Sequence, residues 1–206
     1  EWGVDIQNII LSDNPTGHAI IQVEKNGENS ILINSGANYD FNLNFISSTV
    51  EKFNEGDLLL VQNETNLINE IIKIAHSKKM NIIFNPAPFD NSIHNYNLEK
   101  VSTLIVNKIE GEGLTGEKKP SKILKILNEK FKNTEIILTL GKKGSLYSYK
   151  KNKITVKAFP VKSVDTTGAG DTFIGYFIAS RAKNMTIKDS LERASKAAAL
   201  STTQFG

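Results

Sequence analysis

The sequence has 206 residues, of which 39% are hydrophobic and 23% charged, a balance typical of a soluble globular domain. The formal net charge is +3 and the lysines are scattered, which argues against a nucleic-acid-binding surface. No apolar run approaches the ~20 residues that cross a bilayer, and the first residues lack the pattern of a signal peptide, so no membrane attachment is expected. The absence of cysteine excludes disulfides and thiolate metal sites and fits a reducing compartment, which we expect to be the cytoplasm.

The first regular feature along the chain is a predicted antiparallel hairpin. Residues 18–24 and 29–33 have the pattern of strands, and Lys25-Asn26-Gly27 between them is typical of a tight turn. The pattern changes after this hairpin. We therefore predict a small β lid or clasp over residues 1–43 and a separate α/β core over residues 44–206.

The core alternates short apolar strands with stretches of helical periodicity. Strands are predicted at 58–61, 81–84, 103–106 and 135–139, with two more between 146 and 156. Helices are predicted at 67–78, 123–131, 169–182 and 187–203. Short apolar strands between helices are typical of a parallel sheet covered on both faces. The predicted fold class is therefore α/β, a three-layer sandwich with a mostly parallel sheet plus the β-hairpin lid.

The segment with the clearest chemical meaning is 165–173, which reads Asp-Thr-Thr-Gly-Ala-Gly-Asp-Thr-Phe. It follows a strand-like stretch at 158–161 and enters an apolar helix. The small residues 168–170 allow the backbone to approach a ligand closely. The first turn of a helix also presents unpaired N–H groups and the positive end of the helix dipole. This arrangement predicts an anion site.

A carboxylate at this helix start, Asp171, would stand beside a bound phosphate, and like charges repel. Its presence is explained if Asp171 accepts a proton from an attacking hydroxyl group, as a general base in phosphoryl transfer. Two other phosphate motifs do not apply: the Walker pattern is absent, and Phe173 stands where the dinucleotide fingerprint needs its third glycine. The simpler alternative is a tight turn capped by Asp171.

These residues resemble the D-T-x-G-A-G-D signature of the ribokinase (PfkB-type) carbohydrate kinases. Other segments match family motifs in the same order along the chain: P-T-G at 15–17, G-E-N at 27–29, G-A-N at 36–38, N-P-A-P at 85–88, N-x-x-E at 107–110, L-T-G at 114–116 and T-L-G-x-x-G at 139–144. Residues 197–203 are similar to the final helix of the ribokinase branch. The G-E-N, G-A-N and N-P-A-P set favours this branch over fructokinases and adenosine kinases.

The resemblance implies transfer of the ATP γ-phosphoryl group to the 5-hydroxyl of D-ribose, with ATP, Mg²⁺ and K⁺ as cofactors. It implies that Asp171 is the base and that Gly168, Ala169 and Gly170 form an anion hole. The implied ATP-binding residues are Asn107, Thr139, Leu140, Gly141, Lys142, Lys143, Gly144, Gly170, Asp171 and Ser195.

The resemblance also implies metal and substrate residues. Glu110 would organise Mg²⁺ indirectly. The implied potassium ligands are Asp165, Thr167, Ser201, Gln204 and Gly206. The implied sugar contacts are Glu64, Asp171, Ala19 and Ile21. Taken singly, each of these residues would be interpreted as a cap, a turn residue or a surface acid.

Two departures from the family pattern bear on function. Lys108 stands where ribokinases often have Glu, which alters the electrostatics expected near Mg²⁺. The family's N-terminal part, with its sugar-binding G-G-K-G-x-N motif, is not found in this sequence, so we expect this chain alone to bind sugar poorly. The alternatives are another sugar or nucleoside kinase of the same family, or a catalytically silent nucleotide-binding fragment. Apolar residues of the hairpin, Ile31, Leu32 and Ile33, suggest a homodimer through the lid.

Overall fold

The computed structural model describes residues 3–23 and 29–204; the predicted turn at 25–27 and Gly206 lie outside them. A small antiparallel sheet pairs β1 (His18–Val23) with β2 (Asn29–Asn34), and places Ala19 opposite Ile33. This sheet confirms the predicted β hairpin as a two-stranded unit separate from the main sheet. The boundary between lid and core at residue 43 stays a prediction.

The main sheet has six strands that lie side by side in chain order. They are β3 (Leu58–Gln62), β4 (Asn81–Asn85), β5 (Thr103–Val106), β6 (Glu135–Thr139), β7 (Ser145–Tyr149) and β8 (Asn152–Val156). The first four run parallel, whereas β7 and β8 each run antiparallel to the strand before them. The mostly parallel sheet is therefore confirmed.

One predicted strand, at 158–161, is wrong. Residues 157–163 have no regular structure, and Phe159 and Val161 are exposed rather than packed in the sheet. Pro160 explains the difference, because proline has no N–H to donate to a neighbouring strand. The segment instead crosses from β8 towards the next helix.

Helices cover both faces of the sheet. They are α1 (Leu43–Val50), α2 (Ile68–Ser77), α3 (Lys108–Thr115), α4 (Pro120–Lys130), α5 (Ala169–Ala182) and α6 (Ile187–Ser201). One core packs α1–α4 on the sheet, and a second core packs α5 and α6 on the opposite face. The strands supply both cores by alternation: Ile136 and Leu138 enter the first, and Ile137 enters the second. The three-layer sandwich is confirmed.

The helices of the described residues include none that is long and apolar enough to cross a membrane.

Candidate functional site

Polar residues end the parallel strands at one edge of the sheet. Gln62 is the last residue of β3, Asn85 the last of β4 and Thr139 the last of β6, and Asn107 follows β5 directly. The register places Gln62 opposite Asn85. The crevice outside the carboxyl ends of parallel strands is where open α/β sheets bind ligands. This edge of the sheet is therefore the candidate ligand-binding site.

Helix α5 begins beside the same edge, and two amides of its first turn have no intrahelical acceptor. Gly168 is the N-cap, at φ 70° and ψ 1°, and the first intrahelical bond runs from Thr172 N to Gly168 O at 2.9 Å. The amides of Gly170 and Asp171 precede that bond and have no intrahelical acceptor. The amide of Ala169 donates to the carbonyl of Thr166 at 3.2 Å, so it would have to exchange that bond for a ligand.

Asp171 links this helix start to the strand ends. Its carboxylate is exposed, and Oδ1 accepts a hydrogen bond from Gln62 Nε2 at 3.2 Å. The contact joins two residues that are 109 positions apart in the chain. The predicted base therefore lies at the crevice.

The hydrogen bonds continue from Gln62 along the strand ends. Gln62 Nε2 also donates to Asn85 Oδ1 at 3.0 Å, and Asn85 Nδ2 donates to Ile105 O at 2.9 Å and to Glu110 Oε2 at 3.2 Å. The structure thus brings Asp171 and Glu110, which the sequence predicts as functional, into one polar network. The sequence patterns assign no role to Gln62 or Asn85, which connect them.

A capping box at the start of α3 completes the network. Asn107 N donates to Glu110 Oε2 at 2.8 Å, Asn107 Nδ2 donates to Oε1 at 2.6 Å, and Glu110 N donates to Asn107 Oδ1 at 2.9 Å. Each residue satisfies the other's orphan groups at a helix N-terminus. We refer to Asp171, Gln62, Asn85, Glu110 and Asn107 together as the polar network.

Glu110 is the buried member of the network, with only 4% of its surface exposed. Burial raises the pKa of Glu110 above its ordinary value, and the hydrogen bonds from Asn107 and Asn85 oppose that shift. Three donors nevertheless meet its two oxygens, so the ionised form is well solvated by the protein.

A cleft of about 230 Å³ opens next to the start of α5. It brings together most of the predicted nucleotide residues: Thr139, Gly141, Lys142, Gly144, Gly170 and Ser195. Much of its remaining wall is apolar, from Phe159, Val161, Phe173, Ala198 and Ala199. The sequence predicts a strand at 158–161 and therefore assigns no ligand contact to Phe159 and Val161.

The turn at 139–144 shapes one wall of this cleft. Leu140 N donates to Gly144 O at 2.8 Å, and Gly144 N donates to Gly141 O at 2.9 Å. Of the other two residues predicted here, Leu140 packs its side chain against the core and Lys143 is exposed without lining the cleft. Any role of these two residues in nucleotide binding would therefore be through the backbone of the turn.

The predicted potassium residues come from two segments that the structure joins. Val164 N and Asp165 N donate to Thr202 O at 2.7 and 3.2 Å, so the loop before α5 contacts the end of α6, where Ser201 lies. Asp165 Oδ1 accepts from Thr167 N at 2.9 Å. Gln204 is exposed beyond α6, and Gly206 is outside the described residues. Over residues 3–23 and 29–204, no group of three or more His, Cys, Asp or Glu side chains could hold a metal ion.

The predicted sugar contacts other than Asp171 make no hydrogen bond to the polar network within the described residues. Glu64 is exposed in the turn after β3, and within the described residues its side chain makes no hydrogen bond. Its neighbour Asn63 anchors that turn by donating to Pro88 O at 2.9 Å and to Asp90 Oδ2 at 2.8 Å. Ala19 and Ile21 are exposed on β1.

Comparison with known proteins identifies relatives along the whole sequence. The model of the pfkB family carbohydrate kinases matches residues 1–206. The ribokinase of Schizosaccharomyces pombe is 34% identical over 216 residues, which cover 99% of this chain and 67% of that protein.

Solved structures give the same result. The ribokinase of Thermotoga maritima superposes with a TM-score of 0.81 at 32% identity, covering 96% of this chain and 66% of that one. Arabidopsis thaliana ribokinase, solved with ribose and ATP, superposes with a TM-score of 0.77 at 26% identity, covering 94% of this chain and 65% of that one. The chain spans about two thirds of the length of these relatives.

Proposed function

Because this chain belongs to the pfkB family of carbohydrate kinases, we propose that it supplies the nucleotide site and the catalytic base of an ATP-dependent ribokinase. The substrate hydroxyl in this proposal is the 5-hydroxyl of D-ribose. The observation that carries the proposal is the position of Asp171, at a helix start with unpaired amides, in contact with the strand ends and beside the cleft.

In the proposed reaction, the two carboxylate oxygens of Asp171 have different roles. Asp171 Oδ1 is held by Gln62, so Oδ2 accepts the proton of the sugar hydroxyl. The hydroxyl oxygen bonds to the γ-phosphorus, while the bond from that phosphorus to the bridging oxygen breaks and ADP leaves with its electron pair. A weak base suffices, because in a loose transition state the proton can leave late. The amides of Gly168 and Gly170 donate to the charge on the transferred group, joined by Ala169 when it releases Thr166.

The cleft provides the nucleotide site in this proposal. Its apolar wall, with Phe159 and Val161, suits the flat face of a purine, and Ser195 on α6 lies beside it. In this proposal the turn at 139–144, with Lys142, contacts the phosphates together with Gly170. Asn107, at the strand edge, completes the set of residues that we propose to contact ATP.

The polar network fits a magnesium ion that arrives with the nucleotide rather than one held by a protein cage. A carboxylate has about four lone-pair positions, and Glu110 uses three of them on Asn107 and Asn85. One position remains on Oε1, enough to accept a hydrogen bond from a water of the metal. Magnesium characteristically keeps several waters and binds substrate phosphates. When bound, the ion would neutralise charge on the transferred phosphoryl group.

We propose a potassium site between the loop before α5 and the end of α6. Asp165, the carbonyl of Thr167, Ser201 and Gln204 supply oxygen atoms of the kind that a hard cation binds, and Gly206 is a proposed further ligand. The bonds to Thr202 hold the two segments together. A cation here would order the loop that carries the anion-hole amides and would take no part in bond making.

The sugar contacts and the dimer are proposed through the lid. Ala19 and Ile21 on β1, with Glu64 in the turn after β3, would contact the sugar. Four lid residues keep large exposed fractions: Ile20 53%, Ile21 45%, Leu32 70% and Ile33 46%. A two-stranded sheet is marginal by itself, so a second copy pairing on it would bury apolar surface. The cysteine-free composition supports a cytoplasmic location.

The test is ADP release by the product of the complete gene, with ribose, fructose and adenosine offered separately, with and without K⁺. We expect turnover on ribose, stimulation by K⁺, and a loss of roughly 10²–10⁴-fold in kcat for Asp171→Asn, which removes general-base catalysis. Turnover on fructose or adenosine but not on ribose would identify a different sugar or nucleoside kinase. ATP binding without turnover, unchanged by Asp171→Asn, would identify a silent binding module instead.

A further inference from the structure

We infer that Gln62 is a positioning residue for the reaction, one that holds the carboxylate of Asp171 in an orientation fixed, through Asn85, by the backbone of the sheet. The inference rests on the proposed role of Asp171 as the base.

The donor and acceptor atoms of Asn85 and Gln62 can be assigned from a backbone group that can only accept a hydrogen bond. The carbonyl of Ile105 can only accept, so the atom of Asn85 that lies 2.9 Å from it must be the amide nitrogen. The second hydrogen of that nitrogen meets Glu110 Oε2 at 3.2 Å. The same oxygen accepts from the backbone N–H of Asn107, which can only donate. The carbonyl oxygen of Asn85 is therefore the atom that faces Gln62.

This orientation determines the orientation of Gln62 in turn. The atom of Gln62 that lies 3.0 Å from Asn85 Oδ1 must be a donor, so it is Nε2. Its second hydrogen meets Asp171 Oδ1 at 3.2 Å. Rotating the amide by half a turn would place an acceptor against both Asn85 Oδ1 and the carboxylate, which costs the energy of two unmade hydrogen bonds. Gln62 therefore presents N–H to the base.

The backbone also fixes the spacing of the network. Gln62 and Asn85 are paired across parallel strands that hydrogen-bond to each other, so their amides are held at one level by the sheet. Asn85 is buried, with 6% of its surface exposed, whereas Asp171 is exposed at the first turn of α5. Within the described residues, the bond from Gln62 is the one hydrogen bond of the Asp171 carboxylate, so it fixes one oxygen and leaves the other for the sugar hydroxyl.

The test compares three substitutions at this position in the product of the complete gene. Gln62→Met keeps the length of the side chain but donates no hydrogen bond. We expect kcat to fall roughly 10- to 100-fold, because small misplacements of a catalytic group have effects of this size. KM for ATP and for ribose should change by about twofold or less, because the lost interaction acts on the base. Gln62→Asn, which is too short to span the gap, should behave like Gln62→Met.

Gln62→Glu adds a pH-dependent readout. At high pH, the introduced carboxylate repels Asp171 and kcat should fall below that of Gln62→Met. At lower pH, the introduced group gains a proton and can donate to Asp171, so its kcat relative to wild type should rise. A side chain that only packs would give a ratio independent of pH.

The matched control is Asn81→Ala, which removes an amide from the opposite end of β4, where it donates to Gly56 O at 2.8 Å. It should leave kcat unchanged. Wild-type kcat in Gln62→Met, with Asp171→Asn inactive, would overturn this inference and leave the proposed base intact. Full activity in Asp171→Asn would instead overturn the proposed function on which the inference rests.

Discussion

Glu110 shows how a single buried carboxylate constrains the site at the scale of a residue. Its three hydrogen bonds orient it towards the strand ends, yet burial raises its pKa above the ordinary value of a glutamate. A group whose pKa is raised on folding binds its proton more tightly in the native state. Its contribution to stability is therefore present below the unfolded pKa and is lost as pH rises through the folded pKa.

This sign gives a prediction for stability. The free energy of unfolding of the wild type, relative to that of Glu110→Gln, should decrease as pH rises from about 4 towards neutrality. Urea unfolding of both proteins across that range measures the difference. Glu112→Gln, on the partly exposed side of the same helix, is the matched control. A wild-type advantage over Glu110→Gln that grew with pH would contradict the predicted sign.

The sequence predicts some residues of this site and not others, for a physical reason. Asp171 and the glycines beside it form a local pattern, because a helix start that binds anions is built from consecutive residues. Gln62 has no such signature; it is one polar residue at the end of an apolar strand. Its role depends on the register of β3 against β4 and on its contact with Asp171 of α5, which is 109 positions away in the chain.

At the scale of elements, the turn at 139–144 contains a glycine at which any side chain would clash with the neighbouring strand. Gly144 has φ 91° and ψ −140°, and a Cβ there would lie 2.0 Å from the carbonyl oxygen of Val156. Gly141 also has positive φ, 54°, but a Cβ there would meet nothing within 4 Å. A substitution at Gly144 would therefore introduce a steric clash in addition to backbone strain, whereas one at Gly141 would introduce backbone strain alone.

Alanine at each position tests this difference. We expect Gly144→Ala to lower the free energy of unfolding by about 3 kcal/mol or more, and to weaken ATP binding because the turn must move away from β8. Gly141→Ala should cost only ~1–2 kcal/mol. Thermal unfolding and nucleotide titration measure the two effects. Equal losses in the two variants would show that the contact with Val156 is not decisive.

At the same scale, one element shows where a hydrophobic pattern predicts the wrong secondary structure. The stretch 158–161 has the composition of a strand, yet Pro160 breaks the ladder and the apolar side chains line the cleft instead. The six strands of the sheet and the helices α2, α4, α5 and α6 could be predicted from their apolar patterns. The helices α1 and α3, eight residues each, were not predicted. An apolar segment that lines a ligand cleft can have the composition of a strand without being part of the sheet.

At the scale of the whole molecule, two cores on opposite faces of the sheet bury apolar side chains, whereas the hairpin keeps its own exposed. Four of its apolar residues are exposed to 45% or more, on both faces of the two-stranded sheet. This surface could be predicted from the sequence as apolar, but its exposure depends on how the chain folds around it.

A charge at the hairpin tests the proposed dimer. Leu32→Lys should shift the complete protein from dimer to monomer in light scattering, because an ammonium group would be buried unpaired in the interface. Lys153→Leu, which removes a charge from the exposed edge strand β8, should leave the mass unchanged. A wild-type protein that is monomeric at high concentration would rule out the dimer.

The exposed hairpin and the cysteine-free composition together make the chain suitable for optical labelling. No cysteine occurs among the 206 residues, so a thiol introduced at Leu32 would be the single attachment point for a dye in this chain. A fluorophore sensitive to polarity, attached there, would change its emission when the face of the hairpin that Leu32 shares with Ile20 becomes covered. Such a conjugate would report coverage of that face in real time, without a coupled enzyme.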